Sequence, residues 1–289
     1  MGKHAQLVMG PAGSGKSTYC DAIRKHCEEI KRSVHVANLD PAAEVFEYPV
    51  SIDIKNLITV DEVMEELQYG PNGGLVYAME YLIENIDWFI DEIGDFEDDY
   101  LIIDCPGQIE LYSHIPVMRT LVDSLQQNGY RVCAVFLVDS QFILDSCKFI
   151  SGSLVCLSAM IRLEVPHINV LTKLDVIKKT HRLKDIEGFL ELEVNELVEK
   201  LDTETSNRYH KLNRAIGQLL EDYSLVGYIP LDITDQDSIS FLLAQIDNSI
   251  QYGEDVEPID PKDGLFDEED DDEDGNGGGG HGDHDGHDH

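Results

Sequence analysis

The chain has 289 residues, 42% of them hydrophobic, enough for one large or two small domains with a full core. Its net charge of -36 argues against nucleic acid and anionic lipid as partners; it points to proteins, those with basic surfaces among them, and to one small phosphorylated ligand. The six cysteines (Cys20, Cys27, Cys105, Cys133, Cys147, Cys156) lack any CxxC spacing, which argues against a cysteine zinc site; they read as reduced, mostly buried thiols of an intracellular protein. A strand-like run from Ala5 to Met9 leaves no room for a signal peptide, and Gln6 stands where N-myristoylation needs Ser or Thr. No apolar run is expected to reach the roughly 18 residues that span a membrane.

The first strand, expected over Gln6–Met9, leads into Gly10-Pro11-Ala12-Gly13-Ser14-Gly15-Lys16-Ser17-Thr18. This fits GxxxxGK[ST] between a strand and a helix, the setting of a phosphate-binding P-loop. The glycines let backbone N–H groups close around a β-phosphate, Lys16 reaches the β/γ oxygens and Ser17 offers its hydroxyl to Mg²⁺. A second strand, Val34–Asn38, ends at Asn38-Leu39-Asp40-Pro41. At that carboxyl end Asp40 can reach the magnesium or its waters, or cap the next segment.

A long insertion follows (about 41–98), expected to hold at least two helices. In it Val76, Met79, Leu82, Ile83, Ile86, Phe89, Ile90 and Ile93 share one helical face. Taken by itself, Gly70-Pro71-Asn72-Gly73 reads first as a turn, because Pro fixes φ and Asn-Gly tolerates left-handed geometry. A third strand, Tyr100–Ile103, runs into Asp104-Cys105-Pro106-Gly107-Gln108. Asp104 stands as the magnesium acid of a Walker B strand, Gly107 as an N–H donor to a γ-phosphate and Gln108 as the side chain that orients the attacking water. Glu110 is a further polar candidate, and a solvated loop is the plain alternative for both Gln108 and Glu110. Arg119 follows this loop, with no motif that marks it as an arginine finger.

Strands over Arg131–Val138 and His167–Leu171 come next, the latter leading to Thr172-Lys173-Leu174-Asp175. The order is that of the NKxD guanine-reading element: the Asp175 carboxylate can accept both N1–H and N2–H₂ of guanine, and the Lys173 stem lies along the base. Thr172 replaces the usual Asn, which is expected to weaken one hydrogen bond. Leu183, Ile186, Leu190, Val194, Leu197 and Leu201, then Leu212, Ile216, Leu219, Leu220 and Tyr223, define a second helical insertion (about 180–224) before a short last strand at Gly227–Ile229. Strand alternating with helix predicts an α/β fold over residues 1–253: a P-loop NTPase with a doubly wound, mostly parallel sheet and helical insertions. From residue 254 to the end, 16 acids face one lysine, a net of -15 that leaves -21 on the rest. This stretch, 254–289, is expected to be a disordered acidic tail. Its His281, His284, His287 and His289 alternate with aspartates, a pattern that binds Zn²⁺ or Ni²⁺ or is simply a solvated tail.

Taken together, GPAGSGKST, LDPA, the Gly70-Pro71-Asn72 run, DCPGQIEL and TKLD, in this order from about Lys3 to Ser249, resemble the GPN-loop GTPases, with the general likeness nearest the third eukaryotic branch. The resemblance implies GTP/GDP and Mg²⁺ as cofactors and a tight dimer, either a homodimer or a heterodimer with a paralogue. In that dimer Asn72 would act on the partner's nucleotide, Asp40, Gln108 and Glu110 would line the hydrolytic water, and Asp104 would serve the magnesium. It also implies assistance to RNA polymerase II assembly and nuclear import, and hence a cytoplasmic protein that shuttles to the nucleus. Nucleic acid and membrane are not among the expected partners. The alternatives are a MinD-like ATPase, a metal-delivery GTPase resting on the histidine tail, and a binding module in which hydrolysis is incidental.

Overall fold

The computed structural model describes residues 2–94, 100–180, 194–223 and 227–253. The tail read from residue 254, with its histidines, lies outside them, as do Leu183, Ile186 and Leu190 of the second insertion. Among the described residues seven strands form one sheet: β1 (Lys3–Met9), β2 (Val34–Asn38), β3 (Ile52–Asp53), β4 (Tyr100–Asp104), β5 (Tyr130–Asp139), β6 (His167–Thr172) and β7 (Ile229–Pro230). Their order is β3-β2-β4-β1-β5-β6-β7, and every pairing is parallel, so the sheet expected to be mostly parallel is wholly so. β3 escaped the sequence reading, since two residues carry no periodicity, and the last strand lies at Ile229–Pro230 rather than 227–229.

Both faces of the sheet are covered, which is why its central strands are buried along nearly their whole length. Alternation along β1 divides the core: Ala5, Leu7 and Met9 join one cluster and Val8 the other. Gln6, buried on the second face, is satisfied at both ends, donating to the Tyr100 hydroxyl (2.8 Å) and accepting from the Tyr19 hydroxyl (2.7 Å). That second face is covered by α1 (Lys16–Glu29) and by a C-terminal helix, Gln236–Ser249, whose Ile239, Leu242, Leu243 and Ile246 are buried.

The opposite face carries the insertion. It contains α2 (Val60–Leu67), α3 (Pro71–Glu84) and α4 (Ile86–Ile93). The apolar face expected over Val76–Ile93 is real, but the helix breaks at Asn85, whose φ of -116° and ψ of 35° leave the helical region. Gly70-Pro71-Asn72-Gly73 is the start of α3 rather than a turn: Gly70 precedes the helix and Pro71 occupies its first position, where a missing N–H costs nothing. Gly74 lets α3 approach α2; a Cβ there would lie 3.3 Å from both Met64 and Val60.

After β4 come α5 (Glu110–Ser113) and α6 (Val117–Gln127), and after β5 the 18-residue α7 (Ser146–Leu163). Contrary to expectation, α7 is long and apolar enough to cross a membrane by length and composition, yet it buries Phe149, Ile150, Cys156, Leu157 and Leu163 within the protein. The described part of the second insertion, α9 (Val194–Glu204) and α10 (His210–Asp222), follows α8 (Leu174–Thr180) and packs through Leu201 and Leu220 on Ile150 and Leu157 of α7. On α10 the expected apolar face is only partly used: Leu220 is buried, whereas Leu212, Leu219 and Tyr223 are exposed. Five of the six cysteines are buried and Cys147 is exposed; none is disulfide-bonded.

Candidate nucleotide site

Three neighbouring strands end in register. Val8 of β1 and Asn38 of β2 both lie opposite Asp104 of β4, and the links continue past the strands through Leu39 N–H to the Asp104 carbonyl (2.8 Å) and Cys105 N–H to the Val8 carbonyl (3.1 Å). Gly10, Asp40 and Asp104 are thereby gathered at the carboxyl edge of the sheet, where ligands of such folds bind.

The P-loop departs from β1 through three residues of positive φ: Gly10 (140°), Gly13 (76°) and Gly15 (93°). At Gly10 the need for glycine is absolute, since a Cβ would fall 2.4 Å from the Leu137 carbonyl oxygen. The loop is closed by a turn from Ser14 N–H to the Pro11 carbonyl (3.1 Å). α1 then begins with glycine at its cap, no side-chain cap and no acid in its first turn, so its leading N–H groups and positive end are directed at an anion rather than at the protein. Lys16 Nζ lies within 3.3 Å of the Gly10 carbonyl and 3.4 Å of that of Pro11, across the loop. Pro11, Ala12 and Gly13 line the outer side of the loop, and Thr18 faces the base pocket described below.

Below the loop, Ser17 Oγ donates to Asp104 Oδ2 at 2.8 Å, and the hydroxyl of Tyr48 donates to the same oxygen at 2.8 Å. Burial pushes the Asp104 carboxyl up; these two hydrogen bonds and Lys16 oppose the rise, and Asp40 adds to it. Asp40 is also raised by burial, against the Ala42 N–H that it accepts at 3.0 Å and against Lys16. Asp40 therefore closes a turn through Ala42 N–H and stands near enough to Asp104 to feel its charge. Asn38 sets it in place, accepting from Asp40 N–H (3.0 Å) and donating to Asp53 of β3 (2.9 Å). A serine hydroxyl and two carboxylates whose ionisation is penalised form a hard-oxygen donor set that fits Mg²⁺, which takes one or two carboxylates together with phosphate oxygens.

The loop after β4 presses directly on the P-loop. A Cβ on Gly107 would meet Ala12 Cα at 2.9 Å and Ala12 N at 3.0 Å, so only glycine brings this backbone to the phosphate edge. Gln108 Nε2 donates to Asn72 Oδ1 at 3.0 Å, which joins the start of α3 to this loop within a single chain. Glu110, by contrast, is exposed at the start of α5 and has no side-chain hydrogen bond to the other candidates. Arg119 is turned away from the site: it pairs with Asp123 (2.9 Å) and Glu164 (3.1 Å).

At the other end of the P-loop, β6 delivers Thr172-Lys173-Leu174-Asp175. The buried Thr172 Oγ1, which stands in place of the usual Asn, donates to the Ser14 carbonyl at 2.6 Å, with the Val138 carbonyl at 3.2 Å, and so ties the base element to the phosphate loop. Lys173 adopts a positive φ of 62° and lays its stem over the loop, with Nζ donating to the Gly13 carbonyl (2.5 Å) and to Asp139 (2.8 Å). A pocket beside it is lined by Gly15, Thr18, Thr172, Lys173, Asp175, Leu231 and Ile233. This lining combines the Lys173 stem and two aliphatic side chains, which can pack on a planar base, with one carboxylate, Asp175, which can accept from it. The far wall is fixed from α8: Lys178 pairs with Asp232 at 2.6 Å. Partial burial of Asp232 is outweighed by Lys178 and Thr234, which hold its carboxyl below the usual range.

Tyr48, Asp139, Leu231, Ile233 and Asp232 were not singled out from the sequence. For Asp139 and Asp232 a signal existed, an acid at the end of an apolar strand; Tyr48 and the two aliphatic residues carried none.

A profile of a family described as conserved hypothetical ATP binding protein matches residues 8–252. A protein named GPN-loop GTPase 3 from Dictyostelium discoideum is 78% identical over 261 residues, covering 90% of this chain and 92% of that one. Its namesake in Danio rerio is 53% identical over 266 residues, covering 91% and 93%. Among solved structures, a GTPase in apo form from Pyrococcus abyssi superposes with a TM-score of 0.71 at 24% identity, covering 85% of this chain and 97% of that one, a likeness of fold.

Proposed function

The chain belongs to the family of GPN-loop GTPases, and from that premise we propose that it binds GTP with Mg²⁺ and hydrolyses it as a molecular switch. One observation carries the reading. Thr172 and Lys173 of the base element are hydrogen-bonded to Ser14 and Gly13 of the phosphate loop, so base and phosphates are read by one rigid piece.

The roles follow from placement. The α1 N-terminus and Lys16 receive the β- and γ-phosphates. Ser17 and Asp104, with Asp40 nearby, would hold Mg²⁺, which when bound neutralises charge developing on the phosphate oxygens. Gly107 brings its N–H to the γ-phosphate side, and Gln108 orients water for in-line attack, with Asp40 and Glu110 at its margin. No covalent intermediate is needed, since positioning and charge stabilisation suffice for phosphoryl transfer. The acidic Asp175 favours guanine over the adenine implied by the description of the family profile.

The biological reading extends the family resemblance. The protein acts as an assembly and nuclear import factor for RNA polymerase II, working in the cytoplasm and shuttling to the nucleus. It acts as a homodimer or as a heterodimer with a paralogous GPN-loop GTPase, and pairing redirects Asn72 from Gln108 to the partner's phosphates. The acidic charge supports protein clients over nucleic acid or membrane.

The test is titration with fluorescent GTP and ATP analogues in Mg²⁺, beside an Asp175→Ala variant. Selective GTP binding that is lost in the variant is the expected result. Equal or preferential ATP binding by the wild type would overturn the reading.

A further inference from the structure

We propose that Tyr48 is the positioning residue of the magnesium acid: its hydroxyl holds the Asp104 carboxylate in the orientation that serves Mg²⁺ beside bound nucleotide. The proposal rests on the nucleotide reading above.

Tyr48 lies 56 residues before Asp104 in the chain, within the insertion that follows Asp40. It is 4% exposed, and its ring belongs to the cluster under the P-loop helix together with Tyr19, Cys20 and Val36. The segment that carries it is anchored on both sides. Phe46 lies 5.8 Å from the Tyr48 ring, Lys55 Nζ sits 5.0 Å over Phe46, and the same Nζ donates to the Ala43 carbonyl at 2.7 Å. The hydroxyl therefore arrives at Asp104 on a ring whose direction is set by packing.

The geometry at the carboxylate is specific. Ser17 and Tyr48 both donate to Oδ2, and among the described residues no side-chain hydrogen bond falls on Oδ1. One oxygen is thus used for orientation, and the other is left without a side-chain donor among the described residues. Ser17 can donate its proton to Asp104 while a lone pair faces Mg²⁺, so its position answers to two partners, whereas the Tyr48 hydroxyl has Asp104 alone to serve. A buried carboxylate that loses one of its two donors turns more freely and binds its target less well.

The same bond ties the insertion to the metal site. Residues 41–50 are held against the site by a side chain that bonds the metal acid itself, so metal-loaded nucleotide and the base of the insertion are linked by one hydroxyl.

The experiment measures GTP-analogue affinity by fluorescence, once in excess EDTA and once in Mg²⁺, for wild type, Tyr48→Phe, Asp104→Asn and the double variant. The expected result is that Tyr48→Phe binds as wild type does in EDTA but loses about tenfold of the tightening conferred by Mg²⁺, the scale of one hydrogen bond to a charged group. In the Asp104→Asn background the Tyr48 change should add little, because it acts through that carboxylate. An unchanged Mg²⁺ gain in Tyr48→Phe overturns the proposal, as does an equal loss with and without metal, which marks a structural role. If wild-type protein itself shows no Mg²⁺-dependent GTP binding, it is the nucleotide reading that has failed.

Discussion

Replacing Thr172 by valine removes one hydroxyl and almost no volume, so it isolates the bond between base element and phosphate loop. In the structure Oγ1 reaches the Ser14 carbonyl at 2.6 Å, and Thr172 is 4% exposed. Valine would leave that carbonyl without its side-chain partner at a buried position, at a cost of about 1–2 kcal/mol. For a domain of this size one kcal/mol moves the melting temperature by about 2–4 °C, so a fall of about 2–8 °C is expected. The same tie orders Ser14 and Thr172 around nucleotide; losing it should weaken GTP binding by roughly five- to thirtyfold, at 1.4 kcal/mol per factor of ten. Thr172→Ser keeps the hydroxyl and sheds one methyl group, so it should cost about 1 kcal/mol in stability and leave affinity near wild type. Thermal melting of the nucleotide-free protein and fluorescence titration with GTP analogue in Mg²⁺ provide the two readings. A valine variant that melts within a degree of wild type and binds GTP equally would refute the idea that this bond couples the two elements. So would a serine variant that behaves like valine.

Two further outcomes are expected. Gly107→Ala puts a Cβ 2.9 Å from Ala12 Cα, against backbone that cannot yield cheaply, so the loop after β4 must withdraw from the P-loop; GTP hydrolysis under single-turnover conditions should slow more than tenfold while the fold, by circular dichroism, is kept. His167, stacked on Phe136, has its imidazole pushed down to about 4 by burial, with its contact to Asn169 opposing. The unfolded chain therefore takes up a proton near pH 6.5 that the folded chain refuses until about 4. Stability is complete above that upper value and falls as pH drops through the window, by about 3 kcal/mol at roughly 1.4 per unit. Urea melts from pH 7 to 4 should show a correspondingly shallower loss in His167→Phe, and parallel curves for the two proteins would contradict the assignment.

Local chain order was enough to read the P-loop, the alternation of strand and helix, and the acids and glycines at strand ends. These signals are short-range: a glycine with a required positive φ, an apolar run ending in a polar residue, a lysine followed by serine at a helix start. The Gly70-Pro71-Asn72 run shows where such reading fails. Its residues suit a turn and a helix start equally well, and the packing of α3 on α2 through Gly74 accompanies the helix. β3, with two residues, has no period to detect, and it exists because Ala37 and Asn38 of β2 offer it an edge.

By itself, then, the sequence determined the fold class, the phosphate loop and the family, because each depends on residues adjacent in the chain or spaced by one turn or one strand. Only the tertiary structure decided that Tyr48 bonds Asp104, that Gln108 meets Asn72, that Asp139 holds Lys173 and that Leu231 and Ile233 wall the base pocket. The bonded pairs among these lie 34 to 56 residues apart. Nothing local biases such encounters; they arise when parallel strands align their carboxyl ends and the packing of both sheet faces leaves each side chain one direction in which to point.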